Sequence, residues 1–199
     1  MAEKMSTNTR ERLVTAVAEL MRVRGYSAIT VKQITEAAQA QMGSLYHHFP
    51  GGKPQIAAEA LRSSGAAYIQ LLPLLMDPHE ELRVAVPAAF TAAAEVIEQG
   101  GWLNMCPVGT VAGEIADSEP ELRAVAAEVI TSWIDEGTTY FIARGVEASE
   151  ARALILAILA ALEGAFILSR TLRSSEPLHA AGAAMGAQVE SILARAVRH

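Results

Sequence analysis

The stretch Ile29-Thr-Val-Lys-Gln-Ile-Thr-Glu-Ala-Ala-Gln-Ala-Gln-Met-Gly-Ser-Leu-Tyr-His-His-Phe49 decides the fold. It reads as two short helices joined by a tight turn. Thr30 is a good N-cap for a helix through Ala37 or Ala38, with Ile34 and Ala38 facing inward. Gln39 and Ala40 make the turn. Gln41 to His47 form the second helix, with Leu45 as its buried anchor. Two helices that touch at a sharp angle need a small residue at the contact, which Ala37 or Ala38 supplies. Gly43 and Ser44 keep the outer face of the second helix low, so that its backbone can approach a DNA groove closely. Tyr46 and His47 can donate hydrogen bonds to phosphate oxygens.

On the N-terminal side, Leu13, Val17, Leu20 and Met21 recur at helical spacing and predict a helix over Thr9–Arg24, ended by Gly25. Tyr26 and Ile29 are expected to pack under the next helix. On the C-terminal side, Pro50-Gly-Gly-Lys53 is a turn. Lys53 and Pro54 open a further helix, whose positive end and free amides favour an anion. A plain three-helix head with no nucleic-acid role is the competing reading. His47 and His48 are adjacent, so they leave a helix on different sides and do not suit one metal ion.

The chain has 199 residues and 51% hydrophobic side chains, enough for a sizeable core. Its alanine and leucine content favours helix. The net charge is −6, but it is unevenly spread. Residues 1–55 hold seven basic and four acidic side chains, a net +3, and the remainder holds nine against eighteen, a net −9. A basic head on an acidic body suits a protein in which only the head meets phosphates. Cys106 is the single cysteine, which excludes an internal disulfide and a cysteine-based zinc site. The most apolar stretch, Ala153 to Leu168, is interrupted by Glu163 and Gly164 and is not expected to span a membrane. With no apolar signal core at the N-terminus, a cytoplasmic protein is expected.

Beyond the head, the pattern predicts only helices: Pro54 to about Leu72, ended by Pro73; Pro78 or His79 to Glu98, kinked at Pro87; Val108 to Ile115; Glu119 to Arg144; Ser149 to Arg173; and Pro177 to Val197. The fold class is therefore all-α, with an N-terminal three-helix head over 1–53 and a helical body over 54–199. Leu154, Ile155, Ile158, Leu159, Ala161, Leu162, Phe166 and Ile167 cover too much of one helix for a single wet face. The small residues Ala160, Ala161, Gly164 and Ala165 permit close approach, and Ala180 to Ala187 give a flat face. The last two long helices are thus the expected homodimer surface.

Residues 9–61 resemble the DNA-binding domain of TetR-type transcriptional regulators. The resemblance is carried by Arg24-Gly-Tyr26, Thr30-Val31, Ile34, Glu36-Ala-Ala38 and Gly43-Ser-Leu-Tyr-His-His-Phe49. The Phe49-Pro-Gly-Gly-Lys53 spacing and the Cys106-Pro-Val-Gly109 loop are similar to the LmrA/YxaF-like branch. The resemblance implies that Thr30, Tyr46, His47 and Lys53 contact phosphates and that Gln41, Met42, Gly43 and Ser44 face the groove. Val31 and Lys32, just after the cap, are counted with them. Gln39 stands where the family has a turn glycine, so a left-handed glutamine is expected there. Met42 replaces a polar or basic residue and can touch a thymine methyl.

The same resemblance makes the body a ligand-binding and dimerisation domain. Its candidate ligand contacts are the aromatic and sulfur side chains of Tyr68, Phe90, Trp102, Met105 and Cys106, then Trp133, Tyr140, Phe141 and Phe166. These suit flat or hydrophobic molecules. Glu163 joins them because a carboxylate in an apolar run needs a partner. The expected function is a repressor of double-stranded operator DNA, released by a small hydrophobic or aromatic effector, with no cofactor. No nucleophile elbow, phosphate loop or paired carboxylate points to an enzyme. His79 and His179 are isolated near helix starts. A helical carrier of lipids or aromatics remains the other reading.

Overall fold

The computed structural model describes residues 8–103, 105–115 and 117–196. They form ten helices: α1 (Thr9–Arg24), α2 (Val31–Ala37), α3 (Met42–His48), α4 (Gly52–Ile69), α5 (Leu71–Met76), α6 (Leu82–Gln99), α7 (Pro107–Ile115), α8 (Pro120–Ala143), α9 (Ala148–Leu172) and α10 (Glu176–Ala196). No strand occurs among the described residues. The chain divides into two compact units, one of residues 1–65 with 106–129, the other of 66–105 with 130–199.

In the first unit the local signals act as expected. Leu13, Val17 and Met21 of α1 are fully buried, and Gly25 ends the helix at φ +76°. Thr30 caps α2 in a reciprocal box. The Gln33 amide donates to Thr30 Oγ1 at 3.3 Å and the Thr30 amide to Gln33 Oε1 at 2.9 Å, which pairs two otherwise orphaned donors. Of the two alanines considered for the helix contact, Ala38 is buried and Ala37 exposed. Leu45 and Phe49 anchor α3. Gln41 is the N-cap of α3 rather than its first residue, and the helix extends through His48. The α7 helix packs on α1 through a face containing Val108, Val111 and Ile115, all fully buried.

The second unit is built around Val86, Phe90 and Ile97 of α6, with Phe141, Leu154, Leu178 and Val189. Gly182 and Gly186 bring α10 against α6. A Cβ on Gly182 would lie 2.7 Å from Phe90 Cβ, and one on Gly186 2.6 Å from Pro87 Cγ. Part of the flat Ala180–Ala187 face is therefore spent inside the chain, which leaves Ala180, Ala183, Ala184 and Ala187 exposed.

Several helix limits differ from the sequence expectation. The break after α4 falls at Gln70, and Pro73 lies in the first turn of α5. A proline disturbs the carbonyl four residues before it, here Ile69, while its missing N–H is harmless in a first turn. The α4 helix also starts two residues early, at Gly52. The α6 helix starts at Leu82, not at Pro78 or His79, because Arg144 Nη2 takes the carbonyls of His79 at 2.6 Å and Glu80 at 3.1 Å. Glu163 and Gly164 do not interrupt α9, which runs unbroken for 25 residues. By length and composition alone it is long and apolar enough to cross a membrane. It ends at Arg173 in the left-handed region, φ +50°. The expected end of the last helix at Val197 lies outside the described residues.

Candidate nucleic-acid interface

The turn between α2 and α3 sets the interface. Gln39 adopts φ +49°, the left-handed conformation that the resemblance implied there. Its amide donates to Glu36 O at 3.1 Å, and the Ala40 amide to Thr35 O at 2.9 Å. Arg12, from α1, completes the turn. Its Nε donates to Ala38 O at 3.2 Å and its Nη2 to Gln39 O at 3.4 Å, satisfying carbonyls left over at a helix end. Arg12 has no local sequence signal for this role, since the contact spans 26 residues.

With Leu45 locked inward, α3 presents the opposite face. Gln41, Met42, Gly43, Tyr46 and His47 are exposed there, and Ser44 is half-buried. A Cβ on Gly43 would meet nothing within 4 Å, so the surface at this point is open backbone. Gln41 spends no side-chain hydrogen bond on capping. Tyr46 is 48% exposed, and its ring edge lies 3.4 Å from where a Gly52 Cβ would stand. Tyr46 thus sits beside the start of α4. There Gly52 is left-handed and the Gly51 amide is capped by Gln55 Oε1 at 2.8 Å. His48 is half-buried and meets Phe49 edge-on, and Arg10 lies over the Phe49 ring at 5.3 Å.

The remaining predicted contacts are more constrained. Both polar groups of Thr30 serve the capping box. Val31 is half-buried, and Lys32 is exposed beside Glu36. Lys53 places its ammonium 4.1 Å from the centroid of the Tyr26 ring, a cation–π geometry. Burial pulls the Lys53 pKa below its ordinary value, against the opposing pull of Glu114 and Glu119. The Tyr26 hydroxyl is pushed up by burial, then by Glu119 and Glu114.

Glu114, on α7, is the residue that sequence reasoning missed. Its Oε2 accepts the Tyr26 amide and its Oε1 the Ser27 amide, each at 2.7 Å. Burial pushes the carboxyl up. The hydrogen bonds from Ser27 and Tyr26 and the Lys53 charge outweigh that and hold it below the ordinary value. No local pattern could flag it, because the contact joins residues 87 and 88 apart.

The predicted ligand residues do not form one group. Phe90 and Phe141 are core side chains of the second unit, against which Trp102, Tyr140 and Phe166 are partly buried. Tyr68 and Trp133 stack at 6.4 Å. Met105 is buried and Glu163 half-buried. The Tyr140 hydroxyl is committed: it donates to Asp77 Oδ1 and accepts from Arg144 Nη1, both at 2.6 Å. Cys106 belongs to the first unit, where its Sγ accepts the Gly109 amide at 3.3 Å ahead of α7.

Residues 13–60 match the model of bacterial regulatory proteins of the tetR family, and residues 83–184 that of the LmrA/YxaF-like transcriptional regulator C-terminal domain. The chain is 30% identical to the HTH-type transcriptional regulator YxaF of Bacillus subtilis, over 86% of this chain and 90% of that one. It is 32% identical to an uncharacterised HTH-type regulator of Mycobacterium tuberculosis, over 85% and 88%. In fold it resembles the crystal structure of a TetR regulatory protein from Rhodobacter sphaeroides. The TM-score is 0.78 at 23% identity, covering 90% of this chain and 98% of that chain.

Proposed function

The chain belongs to the TetR family of transcriptional regulators, in its LmrA/YxaF-like branch, and from that premise we propose that it is a dimeric repressor released from its operator by a small hydrophobic or aromatic effector. The family consists of regulators, not enzymes. The open outer face of α3 carries the reading. Gln41, Met42, Gly43 and Ser44 are left to meet base edges, with Tyr46, His47 and Lys53 beside them for phosphates. Thr30, Val31 and Lys32 approach the backbone from the start of α2. Residues 1–53 serve as the DNA-binding domain and 54–199 as the effector and dimer domain.

Dimerisation is supported by α9. Ile167, Leu168 and Leu172 of this helix are 57%, 54% and 64% exposed, an apolar row that a partner copy through α9 and α10 would cover. Two copies present two α3 helices, and dimeric readers of this kind bind half-sites about 34 Å apart. An effector that binds better to a form unable to grip both half-sites lowers DNA affinity by linkage. Trp102 and Phe166, half-buried against the core of the second unit, are the aromatic side chains best placed to meet such a molecule. A cytoplasmic, nucleoid-associated protein follows from this role.

The test is selection of duplexes from a random library, followed by titration at several salt concentrations. The expected product is an inverted repeat bound by a dimer. Lys53→Ala should weaken binding on all sequences and reduce the salt slope by about one. Ile167→Asp should shift the sedimentation coefficient toward the monomer. No sequence-specific binding at any salt would refute the proposal.

A further inference from the structure

We infer that Glu114 is a positioning residue for DNA binding. Its carboxylate fastens the turn between α1 and α2 to α7 and so fixes the Tyr26 ring on which the Lys53 ammonium rests, so that the starts of α2 and α4 meet the phosphate backbone at a fixed spacing. The inference rests on the reading of α2, α3 and α4 as the DNA-binding face.

Three observations carry it. First, the two carboxylate oxygens each take one of two consecutive amides, Tyr26 and Ser27, at 2.7 Å. Consecutive amides turned toward one anion form a small nest, and bonds to a charged acceptor are about twice as strong as neutral ones. Second, Gly25 is shaped for this carboxylate. Its positive φ favours glycine, and a Cβ there would displace the Glu114 carboxylate from the place it holds. Third, Tyr26 joins the latch to Lys53, the cation proposed above for a phosphate, because its ring lies under Lys53 Nζ at 4.1 Å. Ser27 is three residues before the Thr30 cap, so fixing it fixes the start of α2.

The latch is also placed to respond. Glu114 lies in the last turn of α7, which begins directly after Cys106 and packs on α1. A hydrogen bond at 2.7 Å weakens steeply beyond about 3.5 Å, so a shift of α7 by roughly 1 Å would release both amides together. Any event that moves α7 therefore reaches the α1–α2 turn and Lys53 without needing a contact to α3.

The sign of the effect distinguishes this role from simple electrostatics. Removing a carboxylate near DNA should strengthen binding if charge alone mattered. Positioning predicts the reverse. On the duplex enriched by the wild-type protein, and well below the unfolding temperature, Glu114→Ala should bind roughly tenfold more weakly. Glu114→Gln, which keeps one acceptor oxygen and protects against outright misfolding, should lose less. The Tyr26 and Ser27 amide protons should move upfield in both variants. In a Lys53→Ala background the loss from Glu114→Gln should shrink, since the two residues act through one element. Unchanged or tighter binding by Glu114→Gln, with those amide signals shifted, would overturn the inference, as would strict additivity with Lys53→Ala. If the wild-type protein enriches no duplex, the DNA-binding reading itself fails, and this inference with it.

Discussion

Replacing Gln39 by glycine should stabilise the protein, and the structure gives the size of the effect. Gln39 is an exposed residue at φ +49° in the turn between α2 and α3. The left-handed region costs an L-residue about 1–2 kcal/mol relative to glycine. Glycine carries a greater unfolded-state entropy, which offsets about 0.5–1 kcal/mol of that. The contacts at this position, from its amide to Glu36 O and from Arg12 Nη2 to its carbonyl, use backbone atoms of residue 39 and survive the substitution. The net gain is about 0.5–1 kcal/mol, or roughly 1–4 °C in Tm for a chain of this size. Thermal and urea unfolding would measure it, with the denaturant slope checked for constancy. A series sharpens the test. Valine should be worse than alanine, alanine close to glutamine, asparagine better, and glycine best, because that is the order in which side chains tolerate positive φ. If glycine is neutral or destabilising, or if alanine lowers stability as much as valine, then the amide side chain itself holds the turn, and the backbone account is wrong.

Two further predictions concern the second unit. Tyr140, half-buried and hydrogen-bonded to Asp77, has its pKa pushed up from 10.0 to about 12 by the partial burial and that bond. Its neutral form is thus favoured in the fold; the stability this gives is complete below pH 10.0 and is lost as pH rises through about 12. Urea midpoints across that window should fall for the wild type and less for Tyr140→Phe; coincident profiles would refute the assignment. Gly182→Ala places a Cβ 2.7 Å from the buried Phe90 Cβ. Overpacking of about 1–3 kcal/mol should exceed the roughly 1 kcal/mol gain in helix propensity, whereas Gly113→Ala, with nothing within 4 Å, should gain stability. Denaturant titration of the pair decides, and a stabilised Gly182→Ala would show that α10 does not press on α6.

Legibility followed the range of the physical signal. The end of α1 and the start of α2 were readable to the residue because Gly25 and Thr30 act on backbone groups within four positions of themselves, whereas the end of α2 was read only as Ala37 or Ala38. Leu45 was readable as an anchor from the apolar period, whereas the left-handed Gln39 was expected only because the resemblance places a turn glycine there. The start of α6 was not readable, because what holds residues 79 and 80 out of helix is Arg144, more than sixty positions away.

The sequence by itself determined that this chain is helical, that its head turns at Gln39, and that Leu45 anchors the helix after the turn. Caps, turn residues and apolar period are local properties, and they hold whatever the rest of the chain does. Only the tertiary structure decided which glycines of α10 are spent on α6, that Arg12 closes the turn, and that Glu114 grips Tyr26 and Ser27. Those contacts join residues that no spacing relates. They exist because packing brings together backbone donors and acceptors left unpaired at helix ends, and such groups must find a partner wherever the chain can supply one.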